Sequence, residues 1–480
     1  MNAPDHDGRS IDELAFAFGS RALSPVTVVE HCLARIDAFN GRLNAFVEID
    51  RARARRAAHE SEARWARGAP LGPLDGVPFT VKNNISVAGY AVRRGSRTTP
   101  DTPASESAPS VQRCLESGAV FVGLTAMPEF AIGPVTISPL TGITRNAWDC
   151  SMQAGGSSGG AAVAVSAGFC RFALATDAGG SIRIPAAMNG VVGFKPSSGV
   201  VPTYPSSAIS AMACVGPVTR TVADAVTVMN VIAQPDERDR TMPPSASWRF
   251  GKPCGAGLAR TRCALSPTLG LDVPVDDEIV RLTSEAVSGL RSLGASVDLV
   301  DPPVGDFRTP YLTLVRAGYQ FFLRKLSPHQ REELSSAVKE VLDSPPVMLK
   351  DYLLAQEACV VLSQKMAEFH KQYDLLLTPV VAASAVPADR HGPASFEHLS
   401  DRRAWAPFTS LFNMTQQPAI SIPVGLTREG LPCGVQVVAK KFRDHFVLES
   451  AAALETVIAF GAMPPLANNE RYTDIGFVRP

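Results

Sequence analysis

Three short segments of this chain set a reactive side chain among small, weakly charged neighbours. Gly76-Val77-Pro78-Phe79-Thr80-Val81-Lys82-Asn83-Asn84 carries Lys82, and Ala154-Gly155-Gly156-Ser157-Ser158-Gly159-Gly160 carries two adjacent serines. Asp177-Ala178-Gly179-Gly180-Ser181-Ile182-Arg183-Ile184-Pro185 carries Ser181. A serine hydroxyl is a poor nucleophile until a base takes its proton. A lysine, with a reference pKa of about 10.4, serves as that base only where burial leaves it neutral. Lys82 lies between an apolar run and two neutral asparagines, a setting compatible with that requirement. No histidine occurs between His59 and His329, so no alternative base is near in sequence. The glycines around Ser181 would let backbone N–H groups approach a developing oxyanion closely, where side chains would block it.

Other readings of the glycine-rich segments are weaker. A flexible linker rarely flows into runs such as AAVAV or SIRIPAAMNGVVGF. A phosphate-cradling loop would need the Lys-Ser/Thr ending of a P-loop, and a dinucleotide site the order GxGxxG; neither is present.

The elements that must position these residues alternate between helix and apolar strand. The first 65 or so residues read as helical. Ser10 and Glu13 suggest a capping box, and Ser24-Pro25 opens a helix with Val29, Cys32, Leu33 and Ile36 on one face. Residues 43–48 fit a short strand or a continuing helix. Val77–Val81 is a short apolar run ending at Lys82. A helix over Ala108–Leu115 and a buried strand over Ala119–Leu124 follow, then a small-residue helix over 158–170 and an apolar run over Phe172–Thr176. Pro196–Thr219, with four prolines, reads as loop, and Thr219–Ile232 as helix. Pro235–Trp248 is a polar connection. Asp276–Leu293 reads as helix, Ser296–Val300, Asp374–Pro379 and Gly434–Ala439 as strands, and Phe446–Phe460 as helix. The pattern predicts an α/β protein with a large mixed central sheet flanked by helices on both faces. It reads as one unit over 1–480, with an N-terminal helical segment 1–65 and a mainly helical side region at 305–370.

The three segments, in this order, resemble the amidase signature family. Its hallmark is a long Gly/Ser-rich stretch ending in a GGSIR-like motif. Further similarity lies in Ser138-Pro139-Leu140-Thr141-Gly142, Gly190-Val191-Val192-Gly193-Phe194-Lys195-Pro196, Gly216-Pro217 with Thr221-Val222-Ala223-Asp224, and Gln417-Pro418-Ala419-Ile420-Ser421-Ile422-Pro423; only about 235–370 matches loosely. The resemblance implies Ser181 as nucleophile, Ser157 as bridging serine and Lys82 as base, although the residues alone leave Ser157 and Ser158 equally eligible as the bridge. It implies an oxyanion hole from the amides of Ala178, Gly179, Gly180 and Ser181, and an acyl-enzyme at Ser181. Asp177 and Arg183 are expected to hold the loop. Met127 and Ala131 are candidates for the substrate pocket, with core packing an equal alternative, as it is for Trp405 and Phe408.

The chain departs from the family where Asn83 replaces a common aspartate. Loss of a carboxylate beside Lys82 should ease neutralisation of the amine and could loosen its placement. Ala175 and Gln416 replace common glycines. The segment Thr125–Gly133 looks more like stand-alone amidases than the glutaminase subunit of the tRNA-dependent amidotransferase. Hydrolysis of a small carboxylic amide is therefore the expected activity. That glutaminase, a urea or carbamoyl hydrolase and a catalytically idle binding protein are the alternatives.

Composition narrows the partners. Equal counts of 46 basic and 46 acidic residues, with 45% apolar residues, give no footprint for nucleic acid or an anionic membrane. The arginine run Arg51–Arg56 reads as a solvated helix face. Nine scattered cysteines, without metal-like spacing, fit a reducing cytoplasm. Neither the N-terminal MNAPDHDGRS nor the charge-free stretch Cys150–Cys170 reads as a signal or a membrane span. No cofactor and no metal are expected, and a homodimer is a family-level expectation.

Overall fold

The computed structural model describes residues 8–209, 212–243, 248–252, 258–396 and 403–466. Residues 1–7, and 244–247 of the proline-bearing connection, thus lie outside the described residues. Thirteen strands lie among the described residues: β1 (Phe46–Ile49), β2 (Pro78–Lys82), β3 (Val120–Thr125), β4 (Ile137–Ser138), β5 (Gly142–Ile143), β6 (Phe172–Asp177), β7 (Val192–Lys195), β8 (Cys214–Thr219), β9 (Arg262–Leu265), β10 (Ser296–Leu299), β11 (Leu375–Pro379), β12 (Ala419–Leu426) and β13 (Pro432–Ala439). Eleven form one mixed sheet in the order β1-β3-β2-β6-β8-β7-β12-β13-β11-β9-β10, and β4 and β5 make a separate hairpin. β2 is parallel to both β3 and β6, whereas β8 runs antiparallel between β6 and β7.

Helices cover both faces of the sheet. At the N-terminus α1 (Ile11–Gly19) carries the expected Ser10–Glu13 capping box, and α2 (Pro25–Leu43) buries Val29, Cys32, Leu33 and Ile36. The undecided stretch 43–48 becomes the end of α2 and the start of β1. The arginine-rich run opens α3 (Arg51–Ala66), where Arg55 pairs with Glu30 at 2.6 Å and Arg64 with the buried Asp75 at 2.7 Å. α4 (Pro109–Glu116) leads into β3. α5 (Gly159–Ser166) is buried along its whole length, because its small residues permit close approach: a Cβ at Gly160 would meet backbone atoms of Ala45 and Ala126. α6 (Arg183–Asn189) follows the Ser181 loop, and α7 (Val222–Ile232) and α8 (Asp277–Ser292) pack beside α14 (Asp444–Ile458). The 305–370 stretch forms α9 (Arg308–Phe322), α10 (Pro328–Glu332), α11 (Ser336–Asp343) and α12 (Leu349–Phe369); the short α13 (Leu411–Met414) follows.

The main departure from the sequence reading is β8. The prolines of Pro196–Thr219 predict loop throughout, yet its last six residues are a fully buried central strand. Pro217 in such a strand argues against the assignment on local grounds. Its side of the pairing lies opposite Leu174 of β6, and tertiary context overrides the local signal. The helix expected over 158–170 is shorter, ending at Ser166, and the helix expected from Thr219 starts at Val222, with Thr221 as its N-cap. Among the described residues no helix is long and apolar enough to cross a membrane.

Candidate active site

Lys82 is the last residue of β2, and Thr176 lies near the end of the neighbouring parallel strand β6. Side chains leaving the carboxyl ends of adjacent parallel strands converge over the sheet edge, the usual place for ligands in α/β folds. There Lys82 Nζ meets Ser157 Oγ at 2.8 Å and Thr176 Oγ1 at 3.1 Å, and Asn84 Nδ2 donates to the same threonine oxygen at 3.0 Å. Lys82 and Ser157 are fully buried. Burial brings the Lys82 amine down from 10.5 to about 7, against an opposing pull from the nearby Asp177 carboxylate. A large fraction of the amine is therefore neutral near pH 7 and able to accept a proton.

The adjacent serines divide clearly. Ser157 Oγ is the hydroxyl on Lys82, whereas Ser158 Oγ donates to the Thr176 carbonyl at 3.2 Å and Ser158 N–H to the Ser181 carbonyl at 3.1 Å. Ser158 thereby ties the two serine-bearing loops together. Ser157 and Ser181 line one cavity of about 170 Å³, below the roughly 300–1,000 Å³ of pockets for drug-sized ligands.

The loop before α6 is shaped by one buried carboxylate. Asp177 Oδ1 accepts from Gly180 N–H at 2.8 Å, and Oδ2 accepts from Ile182 N–H at 3.1 Å. Arg183 grips both carboxylate oxygens, at 2.8 and 3.0 Å, and its remaining N–H groups reach the Thr409 carbonyl, Gln436 and Asn413. Asp177 and Arg183 are fully buried, and neither lines the cavity. Neighbouring Arg183 holds the Asp177 carboxyl far below the usual carboxylate range despite its burial. One expected oxyanion donor is thus engaged elsewhere: the Gly180 N–H points at Asp177. The amides of Ala178, Gly179 and Ser181 have no acceptor among the described residues, and all three residues line the cavity.

Met127 and Ala131 line the cavity, beside Phe130 and Ile132. Trp405 and Phe408 do not: both are fully buried in the core, and Ala406, Pro407 and Ser410 from the same segment face the cavity instead. The Trp405 indole is turned to the His391 carbonyl at 3.0 Å. No histidine lines the cavity among the described residues.

Two neighbours of the site, Thr176 and Tyr311, were not legible in the sequence. Thr176 accepts a hydrogen bond from Lys82. Tyr311 of α9 sets its hydroxyl directly over Gly179, close enough that a Cβ there would collide with it. Burial pushes that phenol up to about 12, so it stays protonated and able to donate. Asn83 is turned to the 91–94 loop. Its amide accepts from Arg93 N–H and donates to the Ala91 carbonyl, each at 3.0 Å, and its own carbonyl accepts from Arg94 N–H at 3.1 Å. It tethers the 91–94 loop, a task for which a carboxylate lacks the donor. That Thr176 directly precedes the Asp-Ala-Gly-Gly-Ser run was the only available hint for it; Tyr311 lies in the region of loosest similarity and offered none.

Comparisons with known proteins converge on one family. The model of the amidase family matches residues 27–448. An acylamidase of Rhodococcus erythropolis is 34% identical over 455 residues, covering 93% of this chain and 95% of the relative. An indoleacetamide hydrolase of Bradyrhizobium diazoefficiens is 32% identical over 460 residues, covering 92% and 85%. Glutamyl-tRNA(Gln) amidotransferase subunits are also among the relatives; that of Anaeromyxobacter sp. (strain K) is 32% identical, covering 94% and 97%. A bacterial aryl acylamidase of the amidase signature enzymes superposes with a TM-score of 0.87 at 29% identity, covering 95% of this chain and 97% of that one.

Proposed function

The chain belongs to the amidase signature family, and from that premise we propose that Ser181 cleaves small carboxylic amides with Ser157 and Lys82 as its proton relay. The observation that carries this is the buried Lys82–Ser157 contact at 2.8 Å, in a cavity that also presents Ser181. Neutral Lys82 takes the proton of Ser157 as Ser157 takes that of Ser181. The Ser181 oxygen then bonds to the amide carbon. The carbonyl oxygen gathers negative charge, which the N–H groups of Ala178, Gly179 and Ser181 stabilise. As the C–N bond breaks, Ser157 hands a proton to the departing nitrogen and recovers one from Lys82. Water, deprotonated through the same relay, releases the acid from the Ser181 ester. Asp177 and Arg183 are structural in this reading: they fix the loop and touch no substrate. Met127 and Ala131 bound the substrate pocket.

The 480 residues work as a single catalytic domain in this reading, with α1–α3 of segment 1–65 packed on it and the 305–370 helices as a side layer. We place the enzyme in the cytoplasm, on the strength of its many cysteines; the eight described are all free thiols. A homodimer belongs to the same proposal. Exposed Leu349, Leu353 and Val360 on α12 offer it an apolar surface, and sedimentation velocity tests it.

Ammonia or amine release is measured on a panel of aliphatic amides, aryl amides, anilides, glutamine and a carbamoyl compound. Turnover that vanishes in Ser181→Ala is expected, whereas equal turnover in that variant contradicts the assignment of the nucleophile. The amidotransferase reading stands second because such proteins are among the relatives. It predicts turnover of glutamine alone, dependent on partner proteins.

A further inference from the structure

The cavity that holds Ser157 and Ser181 is lopsided in charge. Arg94, Arg308 and Arg403 line it, and no aspartate or glutamate does among the described residues. Arg94 carries the argument. Two other buried or half-buried arginines have an acidic partner: Arg183 has Asp177 at 2.8 Å, and Arg64 has Asp75 at 2.7 Å. Arg94 makes no side-chain hydrogen bond or ion pair among the described residues. Its guanidinium lies over a ring, 5.5 Å from the centre of Phe322, which also lines the cavity.

The backbone that presents Arg94 is held on both sides. Arg94 adopts φ 51°, in the left-handed region that a long side chain ordinarily avoids. Its N–H donates to the Asn83 carbonyl at 3.1 Å, and its carbonyl accepts from Phe130 N–H at 2.8 Å. Asn83 also secures Arg93 and Ala91, and it directly follows Lys82 in sequence. These bonds fix the backbone from which the Arg94 side chain enters the cavity. A planar fork of donors without an acceptor, inside a small cavity, matches a carboxylate.

We propose that Arg94 is the anchor for a carboxylate on the substrate, so that the enzyme acts on small amides bearing a free carboxyl group remote from the bond it cleaves. This rests on the amidase reading above and names its substrate class. The carboxylate is held by the guanidinium, with Phe322 packed on its face.

The test compares monoamides of succinic and glutaric acid with the same compounds capped as methyl esters. Ammonia release is followed in the wild type, Arg94→Gln, Arg94→Lys and Ser181→Ala. A clear preference for the carboxylate-ended amides is expected in the wild type. In Arg94→Gln the ratio of kcat/KM between charged and neutral substrate should fall about 10- to 100-fold, mainly through KM, and Arg94→Lys should recover part of it. A wild type without carboxylate preference, or a ratio unmoved in Arg94→Gln, overturns the anchor while leaving the amidase reading intact. Turnover that survives in Ser181→Ala overturns the amidase reading instead. Should Arg94→Gln not fold, inhibition of wild-type turnover of the neutral amides decides: succinate should compete with them and the uncharged, amide-free 1,4-butanediol should not. If no panel member is turned over, calorimetric titration of the wild type with succinate decides, and absence of binding refutes the anchor.

Discussion

Burying Lys82 has a cost that can be measured apart from catalysis. In the unfolded chain its amine keeps a proton up to about pH 10.5, and in the folded protein only up to about 7. Between these values the unfolded state binds the extra proton, so stability rises with pH across that window, and the penalty is fully present below about pH 7. Lys82→Met should therefore be inactive yet more stable than the wild type near pH 6, with the gain shrinking toward about pH 10 as the penalty on the wild type fades. Denaturant titrations at both pH values check this, and an equal gain at the two would contradict it. The same ionisation should appear in the rate: kcat/KM on a neutral amide should rise with pH and level off above about 7, because only the neutral amine accepts the Ser157 proton. A profile flat through that region would remove Lys82 as the base.

At the scale of elements, the turn from β6 into α6 owes its shape to hydrogen bonds converging on Asp177. Arg183→Met keeps the bulk and removes the counter-charge, stranding a buried carboxylate. The expected loss is about 3–5 kcal/mol of stability, read by chemical denaturation. Gly179 is the position where this turn meets α9. An alanine there would drive its Cβ onto the Tyr311 hydroxyl and push the loop out of place. Gly179→Ala should lower kcat by about 100-fold, the order seen when one oxyanion donor is lost, and Gly179→Ala with Tyr311→Ala should regain part of that. Full activity in the single variant would mean that the loop yields freely against α9.

For the molecule as a whole, the helical side layer is tied to the loops around Thr98 and Glu129–Ala131 by a few polar contacts. Tyr319 on α9 donates to the Phe130 carbonyl at 2.7 Å, Gln330 on α10 to the Thr98 carbonyl at 3.1 Å, and Ser335 N–H to the buried Glu129 at 2.7 Å. Glu129 also accepts from Ser96 at 2.6 Å, so one carboxylate joins the layer to the loop that follows Arg94. Glu129→Ala leaves those donors unsatisfied, at a cost of about 1–3 kcal/mol each where they stay buried. The variant should raise KM and speed proteolytic cleavage between α9 and α12, as limited digestion would show. Unchanged KM and digestion would mean that apolar packing of Val315, Leu323 and Val338 holds the layer unaided.

The sequence by itself determined the α/β class, most elements and the three segments that meet at the candidate site, because each is written in local signals: hydrophobic period, capping residues, and small residues around serine and lysine. It left β8 unseen, since Pro217 is a local argument against a strand that only its neighbours β6 and β7 outweigh. It could not choose between Ser157 and Ser158, which share one local context and differ only in what lies across space. Trp405 and Phe408 were ambiguous for the same reason, and burial in the core decided them. That the Asn83 side chain turns to the 91–94 loop was likewise decided by contacts the local sequence does not encode. Tyr311 and Arg94 gain meaning only from the cavity they face. Which side chains converge depends on strand order and on the packing of distant segments, and no local pattern encodes either.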